Sequence, residues 1–390
     1  MHIRFQPEVD AMDRAQRLLR SLTKDARLVE VGPSFNPLAP KRDGWNTFVI
    51  DHATRSDLVA KYSVHRGVDT SRIEEVDFVW HGGSLADAVP TDQHGTFDAF
   101  IASHVIEHTT DVVTFLKAAE TLIRPDGVII LAVPDKRKCF DYYRHPSTTG
   151  DALAAFLEKR VRHDTRTHFE SVMRTFFKGD APGWHAEDRR EGFVAIPFDK
   201  ALEQLELASL PEYVDAHNWV FIPSSFRLML LELGEMGYLD LRVEEIAEAE
   251  VTEFYAWLRK GKEPIEAADL QKLRKRLMDL IILELSHQVD QLPEPLRRQD
   301  PIQAKLLEQT KEAGFRIEAM QIVLSAVRAS TGRRGLDRRK FSSLIAEASR
   351  SIPNSGPAAV QHVVLFDEAR RMLGLPAMPA DVEGSTSELG

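Results

Sequence analysis

The sequence predicts an α/β protein built on a doubly wound, mostly parallel sheet. Three observations carry that prediction. Short apolar runs alternate with helix-patterned stretches between Arg27 and Val133, polar residues stand directly after those runs, and a tight Pro125-Asp126-Gly127 turn leads into the last of them. Apolar runs of strand length are the mark of strands buried on both faces. Their alternation with helices is the pattern of a parallel sheet, which binds ligands at the carboxyl ends of its strands.

An amphipathic helix over residues 8–22 comes first, with Val9, Met12, Ala15, Leu18, Leu19 and Leu22 on one face. Leu28–Val31 is the first strand and runs into Glu30-x-Gly32. Thr47–Ile50 is the second, ending in Asp51, and Asp77–Trp80 the third, ending in His81-Gly82-Gly83-Ser84-Leu85. Ala99–Ala102 is the fourth, followed at once by Ser103, His104, Glu107 and His108. A helix over Asp111–Ile123 turns Val113, Leu116, Ala119 and Leu122 inward, and Val128–Val133 is the fifth strand.

After Pro134 the rhythm breaks. Asp135–Pro223 is rich in aromatics and histidines, with helices expected near Thr149–Arg160 and Thr165–Phe177 and a loop over Gly179–Gly192. So long a departure reads as a helical cap inserted over the site, at about 135–223. The rhythm resumes in a helix over Ser224–Met236, capped by Ser224 or Ser225 and ended by Gly237, and in strands at Tyr238–Ile246 and Glu253–Leu258. The first domain is therefore expected over 1–260.

A helical C-terminal region is expected over 261–374 and a disordered tail over 375–390, which is rich in Pro, Ser, Gly and acid. Its helices are read at Ile302–Ala313, Arg338–Ser351 and Ala358–Leu373. The stripe from Leu270 to Leu292 reads as a helix face packed on its own domain, with a homodimer through 265–292 as the alternative. A rival reading places a helix and a terminal sheet strand at Leu306–Ser325. The basic stretch Arg333–Lys340 reads as a solvated loop and helix start.

Composition narrows the function. An apolar content of 43% and a charged content of 28% are ordinary for a globular protein. No apolar run approaches the ~20 residues of a membrane span, and the start lacks a basic-then-apolar signal pattern. Cys139 is the single cysteine, which excludes an internal disulfide and fits the cytoplasm. Residues 1–261 hold 31 Lys and Arg against 42 Asp and Glu, and residues 262–390 hold 19 against 18. An acidic site region is poorly suited to a phosphate backbone, so nucleic acid is disfavoured as a partner.

The stretches VEVGPSFNP, VIDHAT, GGSLADAV, FDAFIASHVIEH and LIRPDGVIILAVPDKR occur in this order. Together they resemble the class I S-adenosylmethionine-dependent methyltransferases, especially a bacterial branch with an "hVxEH" segment after the fourth strand. The resemblance implies a Rossmann-like sheet whose last strand is antiparallel, with S-adenosyl-L-methionine as cofactor. It also implies that Glu30, Gly32, Asp51, Ser84, Leu85 and Ser103 contact that cofactor. The chemistry of the residues agrees. Gly32 lacks the Cβ that would block a close approach, and Glu30 can orient the tail ammonium. Asp51, about 20 residues on, can accept from ribose hydroxyls. The turn at Gly83, Ser84 and Leu85 suits the adenine ring. This sequence departs from the family where a glycine-rich loop is usual: Gly32 is followed by Pro33-Ser34-Phe35-Asn36-Pro37, so Ser34 and Asn36 are expected to supply polar contacts.

Methyl transfer to an alcohol needs alignment and a base, and histidine has the nearest natural pKa. His104 is the first candidate. Of His145, His163, His168, His185 and His217 in the cap, His217 is the second candidate, since His217-x-Trp219-x-Phe221 alternates as an extended segment does. No cysteine cluster occurs and no metal is expected; Asp135, Asp141 and His108 are the weaker alternative. The reading is an O-methyltransferase for a small molecule or a sugar or glycan. The alternatives are a methyltransferase-like binding module without turnover and a nucleotide-cofactor oxidoreductase, the latter disfavoured because G-x-G-x-x-G is missing after the first strand.

Overall fold

The computed structural model describes residues 9–65, 67–179, 181–206, 210, 213–262, 264–289, 301–332, 335–352 and 359–376. Helix α1 (Val9–Leu18) leads into strand β1 (Arg27–Val31). Then come β2 (Asn46–Asp51), α2 (Arg55–Ser63), β3 (Phe78–Val79), β4 (Phe97–Ser103), α3 (Val112–Leu122) and β5 (Ile123–Pro134). The insertion holds α4 (Thr149–Leu157), α5 (Thr165–Met173), the hairpin β6 (Phe176–Lys178) with β7 (Gly192–Val194), and α6 (Phe198–Leu205). The core resumes with α7 (Pro223–Glu235), β8 (Leu241–Glu248) and β9 (Glu253–Lys260). Beyond it lie α8 (Ala267–Val289), α9 (Pro301–Ser330), α10 (Arg338–Ser349) and α11 (Ala359–Met372).

The seven-stranded sheet has the order β3-β2-β1-β4-β5-β9-β8. Neighbours pair in parallel except around β9, which runs antiparallel to both β5 and β8. Successive side chains point to opposite faces of a strand, so each apolar run feeds two cores at once. Val29, Val31, Phe100, Ala102, Ile129, Leu131, Phe254 and Ala256 pack on one face, with α3 and α7. Leu28, Ala99, Ile101, Val128, Ile130, Tyr255 and Trp257 pack on the other, with the end of α1. Burial on both sides is why these strands read as unbroken apolar runs.

Register fixes where the strands stop. Val31 pairs with Ile50 and with Ala102, Asp51 with Val79, and Ser103 with Ala132. The polar residues just past these pairs therefore emerge along one edge.

Several local expectations need correction. The helix read over Thr165–Phe177 stops at Met173, because Phe176–Lys178 pairs with Gly192–Val194 instead. Helix α7 is capped neither by Ser224 nor by Ser225 as N-cap. Ile222 holds that place, Pro223 presets the first turn, and Ser225 Oγ accepts from Ile222 N at 3.1 Å. Residues 124–127 loop out between the pairs Phe97–Ile123 and Ala99–Val128. The rival sheet strand within Leu306–Ser325 does not form; that stretch is helical throughout α9.

The chain divides into two compact units, Met1–Gln291 and Leu292–Gly390. Helix α8 belongs to the first. Leu277 is buried, Arg274 bonds Glu232 at 2.8 Å, and Glu284 accepts from Ser224. Leu270, Leu273, Leu280, Ile281 and Leu285 are half-buried, Met278, Ile282 and Leu283 are exposed, and Leu292 lies outside the described residues. The second unit has its own core, including Val323, Phe341, Ile345, Leu365 and Ala369. Arg333, Arg334 and the tail from 377 lie outside the described residues. No described helix is long and apolar enough to cross a membrane.

This packing makes a prediction about truncation. A chain ending at Gln291 should fold and melt cooperatively. One ending at Lys260 keeps all seven strands but strips α8 from α7, and should melt several degrees lower. Equal melting temperatures would contradict a structural role for α8.

Candidate active site

The loop after β1 is shaped from inside. Glu30 is buried, and its carboxyl oxygens accept from Leu38 N at 2.7 Å and Ala39 N at 3.2 Å, closing the loop back on the strand. Burial pushes the Glu30 carboxyl up to about 7, outweighing those two bonds. Gly32 has φ +58°, and a Cβ there would meet Val105 Cγ2 at 3.3 Å. Ser34 also adopts positive φ (51°), and its buried hydroxyl has no partner among the described residues. Asn36 is exposed and accepts from Arg72 at 3.1 Å.

Asp51 ends β2 buried, its Oδ1 accepting from His52 N at 2.7 Å and lying 2.6 Å from His52 Nδ1. Past β3, Gly82 and Gly83 both take positive φ. The Gly83 carbonyl accepts from Trp80 Nε1, Ser84 caps the turn through Ala86 N, and Leu85 is buried. The predicted residues of β1, β2 and the β3 turn thus come together on one edge, although Glu30 faces its own loop and Asn36 faces Arg72.

The end of β4 carries a denser cluster. Arg14 of α1, which the sequence reading missed, donates from Nε and Nη2 to the two oxygens of Glu253 at 2.6 and 2.7 Å. Its Nη2 also donates to Ser103 Oγ at 2.6 Å. His104, at φ +53°, sets Nε2 2.7 Å from Glu253 Oε2, while Nδ1 stands 3.6 Å from Glu107. Burial pushes the Glu253 carboxyl up, but Arg14 and His104 outweigh it and hold it at about 2.

Across Glu107 the cap meets the core. The Glu107 carbonyl accepts from Asn218 N and Trp219 N, which pins the segment carrying His217. His217 is buried and not at the surface; its Nδ1 lies 2.6 Å from Asp141 Oδ2 and its ring 4.6 Å from that of His108. His108 Nδ1 pairs with Asp215 at 2.9 Å. Burial pushes the His108 imidazole down, but Asp215 and Glu107 outweigh it and lift it to about 9. Burial likewise raises the Asp141 carboxyl, and His217 with Arg144 brings it to about 2.

The trio Asp135, Asp141 and His108 does not assemble: Asp135 is claimed by Arg137 at 2.6 Å, and Asp141 by His217 and Arg144. Asp111 caps α3 through Val113 N and Thr114 N. Of the other cap histidines, His163 and His168 are buried together 5.9 Å apart, and His145 and His185 are exposed. Cys139 is buried and its thiol pushed well up by burial, an inert packing residue.

A family model described as a methyltransferase domain matches residues 3–234, more than half of the chain. The chain belongs to that family. It is a methyltransferase. No curated protein matches it. Among solved structures, it is similar to the CcbJ methyltransferase from Streptomyces caelestis, with 12% identity over 66% of this chain and 91% of that one, TM-score 0.36. An S-adenosylmethionine-dependent methyltransferase from Mesorhizobium loti shows 12% identity, 64% and 100% coverage, and TM-score 0.33. A protein provisionally named a Zn-dependent alcohol dehydrogenase from Rhodobacter sphaeroides shows 14%, 66% and 92%, and 0.36. Similarities this distant carry no argument about chemistry.

The edge of this methyltransferase is suited to S-adenosylmethionine. A glycine and a serine at positive φ, an orphaned buried hydroxyl on Ser34 and the buried carboxylate of Asp51 offer a close approach and polar partners for a charged tail and a diol.

The buried Glu30 predicts a pH effect on stability. With its carboxyl raised to about 7, the share it contributes is complete below about pH 4.5 and is lost as pH rises through 7, roughly 1.4 kcal/mol per unit over that window. Glu30→Gln should remove this slope. Parallel melting-temperature profiles for the two proteins between pH 4.5 and 8 would contradict it.

Proposed function

We propose that this methyltransferase methylates a hydroxyl of a small molecule or of a sugar or glycan, held between the strand ends and the cap. The observation that carries the reading is His104. Its Nε2 is fixed on Glu253 at 2.7 Å, which leaves Nδ1 as the basic atom, with Glu107 3.6 Å beyond it to stabilise the cation formed. A histidine oriented by one carboxylate and faced by another is the arrangement of a general base.

The cofactor, when bound, supplies an electrophilic methyl on a sulfonium. Gly32 and Ser34 let the loop close on the amino-acid tail, and Glu30 sets the loop's shape from inside. Arg14, anchored on Glu253 and Ser103, would receive the tail carboxylate. Asp51 accepts from the ribose hydroxyls, and Gly83, Ser84 and Leu85 line the adenine slot. His104 Nδ1 would take the proton of the acceptor hydroxyl. Trp219 and Phe221, buried in the core beside His217, help exclude water.

Two substitutions separate binding from catalysis. Asp51→Ala should weaken S-adenosylhomocysteine binding by about 1.5–3 kcal/mol in calorimetry, the usual loss for charge-assisted hydrogen bonds. His104→Ala should leave that affinity nearly unchanged and slow methyl transfer by about 10²–10⁴-fold, with loss of the acidic limb of the pH–rate profile. If His104→Ala instead loses cofactor affinity and keeps the wild-type pH profile, it is not the base.

A further inference from the structure

Glu107 is 1% exposed, and neither of its carboxylate oxygens has a hydrogen-bond partner among the described residues. A buried carboxylate left unpaired is costly enough that native folds supply a cation or donors for it. What faces Glu107 is a ring of imidazoles. His108 Nε2 lies 3.8 Å from Oε1, and one ligand atom each from Glu107, His108 and His217 falls within 4.8 Å of the others.

Both histidines are oriented from behind. Asp215 holds His108 through Nδ1, and Asp141, itself locked by Arg144 at 2.8 Å, holds His217 through Nδ1. Each Nε2 is thereby left clear of those carboxylates, and that of His108 lies towards Glu107. A carboxylate behind each histidine is how proteins fix the ring and raise its basicity for a metal ion.

We propose that Glu107, His108 and His217 form a binding site for a divalent first-row transition ion of the zinc type. Two imidazoles and a carboxylate suit such an ion, whereas Mg²⁺ and Ca²⁺ favour sets of oxygen ligands. Donors about 2.0–2.2 Å from one tetrahedral ion stand roughly 3.4 Å apart, so the cluster closes with side-chain shifts of about an ångström. Three protein ligands leave a position open to water or another oxygen ligand. The site joins the strand-β4 end to the cap, so an occupied site would tie the two together. Only the use of the open position for an acceptor oxygen rests on the proposed function; metal uptake does not.

The test titrates the full chain, first stripped by a chelator, with Zn²⁺ and separately with Co²⁺, without cofactor or acceptor. One equivalent should bind in calorimetry. Glu107→Gln and His217→Ala should each weaken binding by at least about tenfold, and so should Asp215→Asn, which touches the ion only through His108. Asp215 is exposed, so its variant keeps the test valid even if a buried variant misfolds, which circular dichroism would report. The rival way to balance Glu107 is a doubly protonated His108, which forecasts no stoichiometric uptake. Absence of a one-to-one complex overturns the proposal, and so does equal affinity in the wild type and the Asp215→Asn protein. Either failure leaves the methyl-transfer reading standing, because no step of the measurement uses it.

Discussion

Burying carboxyl groups at the carboxyl edge of the sheet is the constraint around which this protein is arranged. Glu30, Asp51, Glu107, Asp135, Asp141 and Glu253 are each 5% exposed or less. An isolated buried carboxylate is unstable by several kcal/mol, so each of these groups must be paired or protonated. Glu30 takes two backbone N–H groups and keeps its proton up to about pH 7. Asp51 takes His52, Asp135 takes Arg137, Asp141 takes Arg144 and His217, and Glu253 takes Arg14 and His104. Among the described residues, Glu107 alone of the six has no hydrogen bond to its carboxylate.

These pairings are also what brings distant parts of the chain together. Arg14 and Glu253 are 239 residues apart, and their two-pronged contact sets α1 against the first residue of β9. The same glutamate holds His104, so the candidate base and the N-terminal helix share one anchor. On the other side, the Glu107 carbonyl receives two backbone N–H groups from the segment with His217 and Trp219, and Trp219 Nε1 donates to Thr109 O at 2.6 Å. The cap is therefore stitched to the end of β4 by backbone bonds, with the Glu107 and His217 side chains buried and His108 half-buried beside them.

The sheet was legible because strands buried on both faces must be apolar throughout. Leu28–Val31, Ala99–Ala102 and Val128–Val133 can hardly be anything else, and each strand's end marks the site edge. The two-residue β3 was overestimated because its flanking Asp77 and Trp80 make single backbone bonds to β2 without extending the ladder. Helix starts were less legible than helix bodies: Pro223 and Ser225 share the work expected of one capping serine. The positive-φ glycines stood out because the turns demand them, and Asp51 because it ends an apolar strand. Arg14, Glu253 and Asp215 could not be found, since nothing in their neighbours reveals a partner 107 to 239 residues away, and Asp141 was read only into a trio that does not assemble. His217 was singled out for its alternation with Trp219 and Phe221, a local signal that carries no information about its partners Asp141 and His108.

The central claim is that the methyl donor sits along the edge formed by the ends of β1 to β4. Hydrogen–deuterium exchange with and without saturating S-adenosylhomocysteine tests it most directly. The account predicts slowed amide exchange at 32–39, at His52, across 83–86 and at His104, with the amides of 301–332 unchanged. Protection confined to residues 301–376, or none at 32–39 and 83–86, would contradict it.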